Sequence, residues 1–337
     1  MRQFRSLILA AGVILTGVLG TSRQLEAQHP DLTLTQAQRD SILKTYHNIF
    51  PLLGRKAIER GFDLAKPAGI NLIGLAVQQG IAIGDLGLST GDNPIVPIEA
   101  IKFGNSSSTV KTGNIRAELW VLPFLNIYGL AGQAQANTTV EVAEPVHFTT
   151  SVNQSGTYAG VGLTGAMGIK RNFAVADINW TWTDLEKLDE PVRSRVLSLR
   201  YGRSIKVDNF RLLNLWLGAM SVTFATETNG SIKLSEALPP ETIDQIKHNL
   251  ENIENAPWYA DLSPAQKVVV QRIAQGILDH DFSDLTINYQ LNKAPSVKWN
   301  MLAGLNLDIN RRWSIRTELG FLKRTSVLIN LAWRFDM

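Results

Sequence analysis

The chain of 337 residues contains no cysteine, which excludes disulfides, thiolate metal sites and membrane anchoring through an acylated cysteine. Long apolar runs are also scarce. The only extended one, residues 7–19, is shorter than the ~20 residues that a membrane-spanning helix needs. Arg2 and Arg5 precede that run and Leu25, Glu26 and Ala27 follow it, the layout of a secretory signal peptide over 1–27. Charge of one sign is lacking too. Lys and Arg total 33 against 30 Asp and Glu, and removal of 1–27 leaves 30 against 29. A nearly neutral mature chain gives no support for nucleic-acid binding, which needs basic residues gathered on one face. Histidine is sparse, five in all, and no His or carboxylate spacing suggests a metal site or a cofactor.

What the chain has in quantity is alternation. In 326–335, Val327, Ile329, Leu331, Trp333 and Phe335 alternate with Asn330, Ala332 and Arg334. A period of two with one oily face suits a strand between lipid and a polar lumen. Similar runs recur from residue 68 onward, and ten strands can be counted. The first is expected to point Ile73, Leu75, Val77, Ile81 and Ile83 outward and its small residues inward. The fifth sets Ala174, Ala176, Ile178, Trp180 and Trp182 against Asp177, Asn179, Thr181 and Thr183. In the seventh, from Phe210, leucines crowd both sides and leave the facing open. The expected fold is an all-β membrane protein, an antiparallel up-and-down transmembrane β-barrel of about ten strands over 68–337. A soluble β-sandwich shares the alternation but would bury its apolar face against a second sheet.

If the last strand descends to the periplasm, the connections near 123–126, 170–172, 207–209 and 310–312 lie inside and are short. Those at 89–111, 144–154 and after strand seven lie outside and are long, the asymmetry of outer-membrane barrels. Aromatics gather at two levels, Phe124, Tyr128, Phe173, Phe210, Trp313 and Phe335 near the short turns, and Trp180, Trp182, Phe224, Trp299 and Phe321 near the other end.

Two segments do not alternate by two. Residues 28–67 form a periplasmic helical segment, with Ile42, Leu43, Tyr46, Ile49 and Phe50 at helical spacing, a restart at Pro51 and a stop at Gly61. Residues 235–283 read as an extracellular helical hairpin. Pro240 leads Ile243, Ile246, Leu250 and Ile253; Trp258 and Tyr259 occupy the connection; and Ser263 with Gln266 forms a capping box ahead of Val269, Ile273 and Ile277. The hairpin is either a lid with a recognition surface at Trp258 and Tyr259 or a cap that shields the rim.

The runs AELWVLPFLNIYG at 117–129, KWNMLAGL at 298–305, RWSIRTELG at 312–320 and SVLINLAWRF at 326–335 resemble an uncharacterised group of Gram-negative outer-membrane barrel proteins. The resemblance spans about a quarter of the chain and implies a membrane barrel without naming a substrate. The chain departs from that pattern by adding Asp336 and Met337 after Phe335 and by its helical insertion.

Polar residues expected to face the lumen are Arg116, Glu118, Asp177, Arg200, Asp308, Arg316, Glu318, Asn330 and Arg334, with Arg334 placed to reach Glu318 on the neighbouring strand. They would either pair as a plug or line a selective path. The expected partners are outer-membrane lipid, the barrel-insertion machinery, and a small solute or an extracellular ligand. Three roles follow: a non-enzymatic transport-related or surface-binding protein, a small-solute pore, and an outer-membrane hydrolase at the rim. For the last, His280 between Asp279 and Asp281 is the one candidate base, with no serine motif beside it.

Overall fold

The computed structural model describes residues 34–90, 95–97, 101–144, 148–186, 188, 190–208, 211–224, 227–233, 248, 251, 253–255, 257–278 and 286–337. The signal segment, Phe210, His280 and most of the first expected helix of the insertion lie outside them. The described chain holds fourteen strands: β1 (Ala68–Thr90), β2 (Val96–Pro97), β3 (Lys102–Phe103), β4 (Ser106–Leu122), β5 (Leu125–Glu144), β6 (Phe148–Ile169), β7 (Asn172–Leu185), β8 (Val192–Lys206), β9 (Leu212–Phe224), β10 (Glu227–Lys233), β11 (Thr286–Pro295), β12 (Trp299–Asp308), β13 (Trp313–Phe321) and β14 (Arg324–Phe335). Its helices are α1 (Gln36–Thr45), α2 (Gly54–Glu59), α3 (Pro257–Ala260) and α4 (Pro264–Leu278). None of them is long and apolar enough to cross a membrane.

Ten strands close into a ring. Neighbouring strands pair antiparallel in the order β4, β5, β6, β7, β8, β9, β12, β13, β14, and β1 joins the two ends by pairing with both β14 and β4. Ile70 faces Trp333 on one side and Ala117 on the other. Closure leaves the ten-strand ring without a free edge, the condition for backbone to lie in hydrocarbon.

The register makes the outer surface apolar. Leu331 meets Leu72 and Ile315, Thr317 meets Leu305, and Leu305 meets Leu215, all facing out. Leu72, Leu217, Ile329 and Ile315 are exposed although apolar, as a lipid-facing belt requires. In the first strand the expected facing is reversed. Ile70 and Leu72 point outward, Leu72 with 61% of its surface exposed, whereas Asn71 is 3% exposed and looks inward together with Ile73, Leu75 and Val77. Both faces of β1 carry bulk in different stretches, so periodicity alone picked the wrong phase. Pairing with Asn330 and Ala332 decides it. The same register resolves β9, with Leu213, Leu215 and Leu217 outside and Asn214 and Trp216 inside.

The sheet is taller on one side than its apolar pattern suggests. Segments expected as loops near 89–111 and 144–154 are largely strand, because β1, β4, β5 and β6 continue well past the belt. Polar Ser, Thr and Asn side chains on both faces leave no alternation to read there, yet the backbone ladder persists. Beside β1, by contrast, β14 and its neighbour β13 turn back early, at 322–323. Above that low turn β11 takes over from β14 as the partner of β1, after Ser296 N–H donates to the carbonyl of Gly80 at 3.0 Å. β10 then pairs with β11. These two strands were also unanticipated.

Short connections at 123–124, 170–171, 207–211 and 309–312 share one end with the start of β1 and the end of β14. At this turn end Trp313, Trp333 and Phe335 form an outward cluster with ring centroids 6.4 and 4.9 Å apart. Tyr128 and Phe173, expected in that girdle, point into the barrel instead, on the inward parity of their strands. Trp180, Trp182, Trp299 and Phe321 face outward toward the other, loop end.

The N-terminal segment closes the turn end. The capping box of Thr35 and Gln38 opens α1, and Gly61 at φ 92° ends the second turn of helix in a conformation that glycine adopts freely. Leu52 N–H donates to Val121 O at 2.8 Å and Ile49 N–H to Met337 O at 3.2 Å. Met337 N–H donates to Asn48 at 3.0 Å, Arg311 pairs with Asp63 at 3.3 Å, and Lys66 pairs with Asp336.

Candidate functional site: the barrel lumen

Inward parity places Glu318 of β13 beneath two arginines. Arg200 of β8 donates to it twice, at 2.6 and 3.0 Å, Arg316 once at 2.8 Å, and Trp216 through its indole N–H at 2.9 Å. Arg200 reaches across two intervening strands and Trp216 across one, and the Arg200 and Glu318 side chains are 11% and 5% exposed. Bidentate guanidinium to carboxylate geometry is the strongest form of such contacts.

A second carboxylate, Glu118 of β4, sits between Arg116 at 2.9 Å and Arg334 at 3.7 Å. The expected pair of Arg334 and Glu318 does not form. Glu318 lies opposite Leu328, and Arg334 is six residues further along, roughly 20 Å at ordinary strand rise. Arg334 instead faces Gly69, and Gly69 faces Glu118. A methyl group at residue 69 would come 3.2 Å from the Glu118 carboxylate and 3.3 Å from the Arg334 chain, so the missing side chain leaves the corridor through which they meet.

The same device repeats. Tyr128 of β5 lies across Gly162 of β6 to donate to Asp177 of β7 at 3.0 Å, while Thr164 donates to the same carboxylate at 2.6 Å. Trp216 of β9 lies across Gly304 of β12 on its way to Glu318. A Cβ at 162 or 304 would overlap the ring above it. Arg116 stacks over the Tyr128 ring at 3.6 Å, joining the Glu118 and Asp177 groups. Nearer the turn end, Asn214 and Asn306 donate to Asp308 at 3.3 and 2.9 Å.

All nine residues expected in the lumen face inward, and seven of them (Arg116, Glu118, Arg200, Asp308, Arg316, Asn330 and Arg334) line one cavity of about 450 Å³. Asp177 and Glu318 are bonded to residues of its wall. The floor is Phe62, Asp63, Leu64 and Ala65 of the N-terminal segment with Pro51. Below lies a second space of about 710 Å³ between that segment and the barrel end. Sequence reasoning missed Trp120, Asn126 and Trp216 in the wall. Asn126 was hidden in a turn signal and Trp216 in an unphased leucine run; only register assigns them.

At the loop end, α4 begins at the expected Ser263 and Gln266 capping box. Gln266 also donates to the carbonyl of Pro97. Tyr259 does not form a recognition surface. It is 6% exposed and packs with Ile253, Leu262 and Ala274, and half-buried Trp258 lies against that cluster. A short insertion with few apolar residues buries its aromatics to hold itself together. Among the described residues no group of His, Asp and Glu is placed to hold a metal ion.

No family model matches the chain, and no curated protein matches it. Solved structures with a similar outline are outer-membrane barrels. The outer membrane protein OprG of Pseudomonas aeruginosa is 10% identical, with 81% of this chain and 98% of that one covered and a TM-score of 0.38. The β domain of the Bordetella autotransporter BrkA is 9% identical, with 80% and 100% covered and a TM-score of 0.36. The toluene transporter TodX of Pseudomonas putida is 9% identical, with 78% and 88% covered and a TM-score of 0.26. Likenesses this distant carry no argument about cargo. The closed sheet, its apolar outer belt and its polar interior by themselves define a transmembrane β-barrel, and closed antiparallel barrels of this kind reside in the outer membrane.

Proposed function

We propose that the protein is a non-enzymatic, transport-related outer-membrane barrel whose resting lumen is shut, with the turn end in the periplasm and the helical insertion outside as a lid. One observation carries this reading. Arg200 and Arg334 pair with the carboxylates of Glu318 and Glu118 on other strands inside the lumen, and residues 62–65 floor the space they line. An open pore of ten strands would keep its charged side chains solvated along the wall. Here Arg200 and Arg334 bridge to carboxylates on other strands, so passage requires these pairs, or the N-terminal segment, to move.

The floor suits a removable part. It is held to the barrel rim by a small set of polar contacts: side-chain pairs of Lys66 with Asp336 and Asp63 with Arg311, the bond between Asn48 and Met337, and backbone bonds from Leu52 to Val121 and Ile49 to Met337. Planar-bilayer recordings test the proposal. The intact mature chain is expected to be silent and a variant lacking 34–66 to show discrete steps for small ions. Steady conductance from the intact chain would favour the simple pore, and silence from both would favour a surface-binding role. In that case, deletion of 235–283 should abolish ligand capture at the cell surface without loss of insertion.

A further inference from the structure

Two arginines at the loop end of β8 point out of the barrel, not into it. Outward parity on this strand runs through Ile205, Arg203, Tyr201, Leu199 and Leu197 to Arg195 and Arg193. Arg195 faces Trp180 and Arg193 faces Trp182 across the ladder to β7. On the other flank Arg195 faces Thr223 of β9, and Trp299 of β12 follows beside Ser221. Trp180 and Trp182 are 38% and 44% exposed. Neither guanidinium has an ionic or hydrogen-bonded partner among the described residues. Asp184, the next outward residue above Trp182, does not pair with them.

This level is where the apolar belt ends at the loop end. Below it β8 presents Leu197 and Leu199, and β9 presents Leu217 and Ala219. Indole rings at such a boundary mark the depth of lipid headgroups. Unpaired guanidiniums there meet whatever charge the headgroups carry, and Arg recognises phosphate by paired N–H donors. Residues two apart on one strand face stand about 6.6 Å apart, which lets both engage one headgroup bearing two phosphates.

We propose that Arg193 and Arg195, framed by Trp180, Trp182 and Trp299, form a site on the lipid-facing wall for a bis-phosphorylated glycolipid of the outer leaflet. The proposal rests on the orientation proposed above, because that orientation places the site in the outer leaflet. Charge complementarity selects the occupant: the patch is cationic and contains hydroxyl donors at Ser221 and Thr223. A neutral headgroup would leave both guanidiniums without counter-charge.

Native mass spectrometry of the folded mature chain in mild detergent tests the site with bis-phosphoryl lipid A, its dephosphorylated form and phosphatidylglycerol as probes. Bis-phosphoryl lipid A is expected to be retained best, and R193Q/R195Q to weaken it by about tenfold or more, the loss expected when charge-assisted hydrogen bonds are removed. R203Q, an outward arginine near the turn end, is expected to retain it. Equal retention by the double variant would overturn the site, and equal retention of phosphatidylglycerol would overturn the choice of headgroup. Folding is checked by the mobility difference between heated and unheated samples, and if the double variant does not fold, R193Q and R195Q singly carry the test. Micellar binding is independent of orientation. Proteolysis of the 257–278 insertion on intact cells tests orientation separately.

Discussion

Replacing Glu318 by Gln keeps the shape of the side chain and removes the charge on which four donors converge. Arg200 and Arg316 are then left facing one another with no carboxylate between them. Charge-assisted hydrogen bonds contribute about 1.5–3 kcal/mol each, and breaking a buried ion pair by losing one partner costs about 3–5 kcal/mol. These figures overlap and do not add. With Glu318 5% exposed and Arg200 11% exposed, the screening that makes surface pairs weak is small, so a loss of about 3 kcal/mol is expected. Urea unfolding in lipid vesicles, followed by tryptophan emission, measures it. A cycle with R200Q isolates the pair, and a coupling of at least about 1.5 kcal/mol is expected, since contacting residues in one network are not additive. A loss under about 1 kcal/mol together with zero coupling would refute the reasoning, because it would mean that lumen water already solvates these charges.

The glycine corridors give a second test: G162A is expected to destabilise by about 1–3 kcal/mol through overpacking against Tyr128, whereas G74A, with open space around it, stays within about 0.5 kcal/mol. Equal effects in equilibrium unfolding would refute the corridor. The phase of β1 is tested by L72R, which places a guanidinium on the lipid face and is expected to cost about 2–4 kcal/mol near the midplane. I73N, on the lumen side, should cost less, and the reverse order in the same assay would restore the original phase. Finally, the hydrogen bond from Lys66 holds the Asp336 carboxyl below the usual carboxylate range. Its folded value is depressed, so the latch contributes above the unfolded pKa of about 3.9 and is lost as pH falls through the lower folded value. At neutral pH D336N should raise proteolysis of 34–66 by about fivefold or less, the scale of an exposed pair; unchanged cleavage on acidification would count against the latch.

How legible was the molecule beforehand? The ten strands, the short-turn end and all nine lumen-facing polar residues could be read because one strand face meets hydrocarbon and the other does not. That contrast writes a period of two into β7, β12, β13 and β14. Where it vanishes, reading fails: the Ser- and Thr-rich tops of β4 and β6 are wet on both sides, and β10 and β11 lie wholly above the belt. β1 fails for a different reason. Its Ile70 and Leu72 share a strand with Ile73, Leu75 and Val77 of opposite facing.

Amino-acid order alone therefore pointed to the class of the protein, since a period of two with one oily face, repeated over strand after strand between short and long connections, suits a sheet between lipid and a polar lumen. Who pairs with whom inside was decided only on closure. Arg334 meets Glu118 and Arg200 meets Glu318 because strands distant in sequence are brought level by the stagger of the ring. A glycine in the strand between makes the reach of Arg334 possible, and no local pattern encodes that distance.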